Sequence, residues 1–414
     1  LDFPEVLNPL LKENGGLNST GFDIVIGNPP YVSYYGNTGS DLSPDEKNHV
    51  VKTFDSVQKE NDRINSMNLF SEKGIKLLKP NGNLAFIVNK TMAVLPSYSF
   101  YREYLTANSQ FKYLITDLIP FEAIVDCLIF SVENRKPDPE YKFKFYRGDI
   151  KKYSWESNNV FNKNKKRELH VPKDDGLLDV IDKAPSVLSD ILTINRGVNI
   201  GGCFDVFLSE KKASAKHHKY LSGTKCVKPY IYEWTDSDGY MIFDDKKEKE
   251  LRANGKTLAL GNHDRYIQTK LFIPESAQTI MAAYSEELIY SAYGLLVGTT
   301  DLGIDHLKYA CGLLNSKLIT FYSIQREILR KGNKATPHVG VKGLNGLPIY
   351  TDKEHVSSIS GLVTKILSAK KPNTDTSTLE REIDIRVYHL YKLNFEEAKM
   401  IDETLTEKEF RRFK

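Results

Sequence analysis

The sequence predicts an α/β domain followed by a mixed α+β domain, and three observations carry that expectation. Over the first 150 residues, short apolar or β-branched runs alternate with segments of helical periodicity. Near residue 150 two lysine-rich polar stretches and "VPKDDG" interrupt the pattern. Beyond residue 188 the apolar pieces are short and broken by Gly, Asn and Asp, as expected where strands are joined by many loops.

In order along the chain, "FDIVIG" (22–27) holds Ile24, Val25 and Ile26, a run that reads as a strand buried on both faces of a parallel sheet. "NPPYV" follows at the carboxyl end of that strand, where α/β sheets hold their ligands. Next comes "YYGNTGSDLSPDEKN", a polar loop long enough to be functional rather than a connector. From Asp62 to Lys79, Ile64, Met67, Phe70, Gly74, Leu77 and Leu78 recur at helical spacing, and Pro80 and Gly82 stop the helix. "NLAFIV" (83–88) is the next buried strand, "SFYREYLTA" (99–107) a second helix, and "KYLITDLI" and "AIVDCLIFSV" two more strands. "PDPE" reads as a turn and "YKFKFY" as an alternating strand. In the second half "LKYACGLLNSKLITFYSI" (307–324) reads as one helix, "LEREIDIRVYHLYKL" (379–393) as an amphipathic helix, and "FEEAKMIDE" as the start of another. The predicted boundaries are a first domain over 1–150, a linker over 151–187, a second domain over 188–350 and a helical segment over 351–414.

Composition narrows the function classes. With 40% hydrophobic and 27% charged residues among 414, the chain can build two cores and is not of a disordered type. No apolar run nears the roughly 20 residues of a membrane span, so a cytoplasmic protein is expected. Cys127, Cys203, Cys226 and Cys311 are far apart and suit small buried hydrophobes better than a zinc site or a disulfide framework. A net charge of +3 does not argue for nucleic acid by itself. Basic residues do bunch in "FNKNKKRELH" (161–170) and "KKASAKHHK" (211–219), either as solvated loops or as phosphate contacts.

The most specific feature is Asn28-Pro29-Pro30-Tyr31. An exocyclic amine on an aromatic ring has a delocalised lone pair and is a poor nucleophile. Two acceptors holding its N–H groups would draw the nitrogen toward a tetrahedral shape and free that lone pair. The Asn28 side-chain oxygen and the Pro29 carbonyl can supply the two. Pro29 and Pro30 fix φ and offer no competing N–H, so the carbonyl is preset. Tyr31 offers a ring on which a planar base can stack, which offsets part of the cost of extruding it from a duplex. The alternative is a rigid turn with Tyr31 in the core.

"FDIVIGNPPYV" resembles the catalytic motif of the adenine-N6 branch of the amino methyltransferases that use S-adenosyl-L-methionine. "MNLFSEKGIKLLKPNGNLAFIVNKTM" and "DLIPFEAIVDCLIFSVE" resemble the following helix, strand and base-pocket segments of the large methylases of type IIG restriction-modification enzymes, and "LDFPEVL" resembles their lead-in. In the second half "ILTINRGVNIGGCFDVF", "KCVKPYIYEW", "KLFIPE", "YACGLLNSKLITFY" and "GLPIY" are similar, in this order, to a TaqI-like target-recognition domain. "REIDIRVYHLYKLNFEEAKMID" resembles the C-terminal helical segment of the same enzymes. The resemblance implies a partial Rossmann-like methyltransferase sheet followed by a mixed α+β target-recognition domain. It also implies that Asn28, Pro29, Pro30 and Tyr31 hold the target adenine, that Phe121 packs on the flipped base across a one-residue gap, and that the partner is double-stranded DNA. Phe121 reads equally well as core.

The sequence carries no glycine-rich loop and acidic partner ahead of Phe22, so the half that binds the cofactor is expected upstream in the same polypeptide. No metal site is expected in this chain, and magnesium only if a nuclease domain lies upstream. "GVNIGG" lies too far downstream to replace the loop, and Asp138 and Glu140 in "PDPEYK" read as a turn rather than a nuclease metal site. Arg196, Asn199, Lys225, Lys228 and Lys270 are candidates for base contact. Two rivals remain, an RNA or protein-glutamine methyltransferase and a specificity subunit that binds DNA without catalysis.

Overall fold

A run of alternating strands that cannot satisfy its own edges must form a sheet, and here the first half of the chain does so. The computed structural model describes residues 20–34, 42–57, 64–118, 127–162, 168, 169, 171, 175–329, 337–370 and 374–413. A first compact unit ends at Val171, and a second takes in nearly all that follows.

In the first unit β1 (Phe22–Gly27), β2 (Leu78–Asn89), β3 (Gln110–Leu118), β4 (Cys127–Glu133), β5 (Lys142–Arg147) and β6 (Tyr153–Ser157) form one sheet in the order β1-β2-β4-β3-β5-β6. The β1/β2 and β3/β5 pairs are parallel and the others antiparallel. Helices α1 (Pro44–Thr53), α2 (Ser66–Lys76) and α3 (Ser99–Asn108) complete the unit. Paired residues share a face. Gly27, Phe86, Phe130, Leu114 and Phe145 form one such row, and α2 lies against this side. Gly74 of α2 allows the close approach, since a Cβ there would stand 2.5 Å from Leu84 Cδ1.

The opposite row runs Ile26, Ala85, Ser131, Tyr113, Lys144, Trp155 across all six strands. It is open: Ile26 is 80% exposed, Ile24 64% and Trp155 55%. This corrects the expectation that the Ile24-Val25-Ile26 strand is buried on both faces. β1 is an edge strand whose side chains alternate, and only Val25 turns toward α2. A continuous apolar run says that both faces prefer cover; it does not supply the cover.

The expected linker over 151–187 is instead divided between the two units. β6 extends the sheet, and Phe161 packs on Phe111 and Phe143 with ring centroids 4.9 and 5.4 Å apart. Leu177, Leu178 and Ile181, on the helix Asp175–Ile181, enter the core of the second unit. A few apolar residues anchor each end despite the lysines between them.

The second unit contains a short antiparallel pair, β7 (Ser186–Val187) with β16 (Pro348–Ile349), and two four-stranded sheets. One runs β13-β12-β15-β8 and is antiparallel throughout, from β8 (Thr193–Arg196), β12 (Lys270–Pro274), β13 (Ala283–Ser285) and β15 (Leu295–Thr299). The other runs β14-β10-β11-β9, from β9 (Leu208–Ser209), β10 (His217–Leu221), β11 (Tyr240–Ile242) and β14 (Tyr290–Ser291). The expected single helix over 307–324 is two, α4 (Ile304–Leu314) and α5 (Lys317–Gln325). Asn315 turns its amide to the Ala282 backbone, and Ser316 caps the Ile319 N–H, so the chain breaks between them. Helices α6 (Lys353–Lys370), α7 (Ser377–Leu390), α8 (Phe395–Ile401) and α9 (Glu407–Arg412) finish the unit, and residues of α4 to α9 share one core.

Asp384 of α7 is 7% exposed and accepts the Lys317 N–H at 2.8 Å. Burial pushes its carboxyl up to about 6, with the Lys317 hydrogen bond and charge pulling back. A raised value means that the folded state favours the protonated acid. Its contribution to stability is therefore greatest below the ordinary aspartate value of about 3.9 and is lost as the pH rises through about 6. In chemical denaturation D384N is expected to gain about 2–3 kcal/mol on the native protein between pH 4 and pH 7. A difference that does not change with pH would contradict the assignment.

Candidate functional site

The Asn28 to Tyr31 corner leaves β1 at its carboxyl end, beside the carboxyl end of β2. Asn28 and Pro30 are exposed, Pro29 is buried and Tyr31 is half-buried. Neither the Asn28 side-chain oxygen nor the Pro29 carbonyl accepts a hydrogen bond from any described residue. The pair of oxygens that the chemistry of an amine acceptor requires is thus left available.

What fixes the corner is α2. Ser66, 2% exposed at the first turn of that helix, donates its hydroxyl to the Pro30 carbonyl and accepts the Val32 N–H at 3.0 Å. The Ser66 N–H donates to the Val32 carbonyl at 3.0 Å, and Tyr34 N–H to Ile64 O at 3.0 Å. Asn65 caps the helix by accepting the Met67 N–H at 3.0 Å. The carbonyl after Pro29 is therefore tied while the Pro29 carbonyl stays open. A buried hydroxyl serving two backbone groups is worth about 1–3 kcal/mol. S66A is expected to lose that much stability and to lower turnover more than substrate binding, read from paired denaturation and steady-state measurements; full turnover in a destabilised variant would remove Ser66 from the positioning role.

Tyr31 packs its ring against the core of the sheet. Its hydroxyl donates to Ile87 O at 3.3 Å and lies 3.8 Å from Cys127 Sγ. Burial, followed by the Cys127 contact, pushes the phenol well above its usual range, so it stays neutral. At the same end of the sheet Lys90 pairs with Asp117 at 2.8 Å, and Asp117 takes a φ of 59°. Phe121 lies outside the described residues.

Other predicted positions separate. Asp138 accepts the Glu140 N–H at 2.9 Å within its turn. Among the described residues no three His, Cys, Asp or Glu side chains are grouped to hold a metal ion. Cys127, Cys226 and Cys311 are buried, Cys203 less so, and none of the four is in a disulfide. No helix of the described residues is long and apolar enough to cross a membrane. In the second unit Lys225 and Lys228 are exposed, and Asn199 turns its side-chain oxygen to the Gly201 N–H at 3.0 Å. Lys270 is removed as a base-contacting candidate. It is fully buried, and its ammonium donates to Tyr266 O, Gln268 O and Glu287 O at 2.8, 3.2 and 2.6 Å. Burial lowers its value to about 8.

Sequence reasoning missed Ser66 and the Lys90–Asp117 pair. Ser66 sits just ahead of the quoted "MNLFSEKG", and only its distance from Pro30 in the chain conceals its part.

The described residues thus form an α/β sheet that carries a rigid, donor-poor corner and a separate α+β unit. Residues 2–118 match the Eco57I restriction-modification methylase family, and residues 218–349 match the TaqI-like C-terminal specificity domain. Over these two stretches the chain is similar to restriction-modification methylases and to their TaqI-like specificity domains. It is 27% identical over 402 residues to RM.MjaORFECS2P of Methanocaldococcus jannaschii, named for a type II restriction enzyme and methyltransferase, with 91% of this chain and 31% of that protein covered. In fold it is similar to the type IIL restriction-modification enzyme MmeI, solved in complex with DNA, at a TM-score of 0.57 and 14% identity, covering 92% of this chain and 57% of MmeI. The chain spans under a third of the archaeal relative's length.

Proposed function

We propose that this chain is the base-holding and DNA-reading part of a type IIG restriction-modification enzyme that methylates adenine N6 in double-stranded DNA. The observation that carries the reading is the corner: Asn28 Oδ1 and Pro29 O, free of partners among the described residues, beside Pro30 and Val32 held by Ser66. In this reading the flipped adenine lies against Tyr31 with its amino hydrogens on those two oxygens, and Phe121 closes the other side. Asn28 and Pro29 draw the nitrogen toward a tetrahedral shape, and as the N–C bond forms the surplus amino proton passes by the same oxygens to solvent. S-adenosyl-L-methionine would supply that methyl group.

Among the described residues no glycine-rich turn between a strand and a long helix offers itself to the cofactor. "GVNIGG" lies in the second unit and precedes only the four-residue helix Phe204–Phe207. In this reading the cofactor is held by an upstream part of the same polypeptide, which lies against the edge strand β1 and over the open row of Ile24, Ile26 and Trp155. Two things support this placement: α/β sheets are covered on both faces, and relatives of this chain are longer. Any magnesium belongs to a nuclease domain outside this chain, and the enzyme works in the cytoplasm.

The test is to offer the intact protein labelled S-adenosyl-L-methionine with duplex DNA, RNA and protein acceptors in parallel. N6-methyladenine in the duplex alone is the expected product. Label in RNA or glutamine would favour the rival acceptors, and site-selective binding without transfer would favour a specificity subunit.

A further inference from the structure

We infer that Arg196 is a specificity-determining residue that reads a guanine edge in duplex DNA. The inference rests on the DNA-methyltransferase reading above and assigns part of the sequence recognition to a built arrangement in the second unit.

Arg196 closes β8, the edge strand of its sheet, and its side chain is 43% exposed. Its Nε donates to Glu275 Oε1 at 2.8 Å and its Nη1 to Tyr293 Oη at 3.0 Å, while the guanidinium lies 5.0 Å from the Tyr293 ring centroid. Nη2 has no partner among the described residues. The supports are rigid. Glu275 is 5% exposed just past β12, and its N–H donates to Gly294 O at 3.0 Å. Gly197 lies so close to the turn before β15 that a Cβ there would stand 2.1 Å from Ala292 O, and Val198 N–H donates to Ser291 O at 2.8 Å. Both the plane and the direction of the guanidinium are therefore set before any ligand arrives, and the entropy cost of ordering a long side chain is already met.

Charge decides what this group reads. A phosphate clamp needs uncompensated positive charge, whereas Glu275 neutralises Arg196. A neutral pair with a planar, outward N–H edge suits a neutral double acceptor, and guanine O6 and N7 form such an edge in the major groove. An ion pair that only knitted the strands together would not need the guanidinium stacked on an exposed tyrosine.

The test selects bound duplexes from a pool randomised in sequence, using the intact native protein, R196A and R196K. R196K keeps the charge and removes the planar fork, so it carries the test if R196A fails to fold. Both variants are expected to lose the preference for guanine at one position by roughly 5- to 150-fold and to keep the rest of the selected sequence. Uniform weakening on all sequences with a shallower salt dependence would make Arg196 a phosphate contact and overturn the inference. An unchanged selected sequence would overturn it as well. A native protein that selects no duplex sequence overturns the DNA reading along with it, whereas a selective native protein with unaltered variants sinks the Arg196 assignment alone.

Discussion

Asn28→Ala in the intact protein is expected to lower the rate of methyl transfer by about 100- to 1,000-fold while leaving duplex binding nearly unchanged. The size follows from removing one preorganised group that acts at the reacting atom, which typically costs about 3–4 kcal/mol. The Asn28 amide is exposed and makes no hydrogen bond to any described residue, so its loss should not disturb the corner that Ser66 holds. Stability therefore stays within about 0.5 kcal/mol, as for other exposed positions. Asn28→Asp sharpens the test. A carboxylate still offers an oxygen to an amino hydrogen but no N–H, so N28D is expected to retain much more turnover than N28A. Equal losses in the two would mean that Asn28 acts as a donor, and the assignment of its oxygen would fall.

The second large effect concerns the open face of the first unit. Ile26→Asp in the chain alone is expected to be near neutral, because Ile26 is 80% exposed there. If an upstream portion covers this row as proposed, the same substitution in the longer protein would place an unpaired carboxylate beneath it, at a cost of about 3 kcal/mol or more. The expected readout is a matched pair of denaturation curves with a small shift in the chain and a large one in the intact protein, the latter with loss of cofactor binding. Small shifts in both would mean that nothing covers this row.

Much of this was legible in the sequence. Strands β1 to β5 and helices α2 and α3 follow from apolar periodicity, whereas α1 begins inside the segment that reads as a polar loop, its start set by the Ser43–Glu46 capping box; the corner follows from four consecutive residues whose conformational limits are strong on their own. The rest depended on partners distant in the chain. Ile24 and Ile26 are as apolar as any buried strand, so only the sheet order reveals that their side is open. Ser66 looks like an ordinary helix-start serine until Pro30 and Val32 are brought to it. Lys270 looks like a surface lysine until three carbonyls close around it. Val160 and Phe161 lie next to a lysine-rich stretch, and the surrounding charge hides two residues that bind their segment to the sheet. Arg196 was readable as a basic residue near the start of the second domain, while its restraint by Glu275 and Tyr293, about eighty and one hundred residues away, was not.

The most direct measurement is a structure of the intact protein with its duplex and a non-reactive cofactor analogue. The account predicts one adenine turned out of the helix against Tyr31, its amino nitrogen within hydrogen-bond reach, roughly 3 Å, of both Asn28 Oδ1 and Pro29 O. A stacked, paired adenine, or an extruded base whose amino group meets neither oxygen, would contradict it.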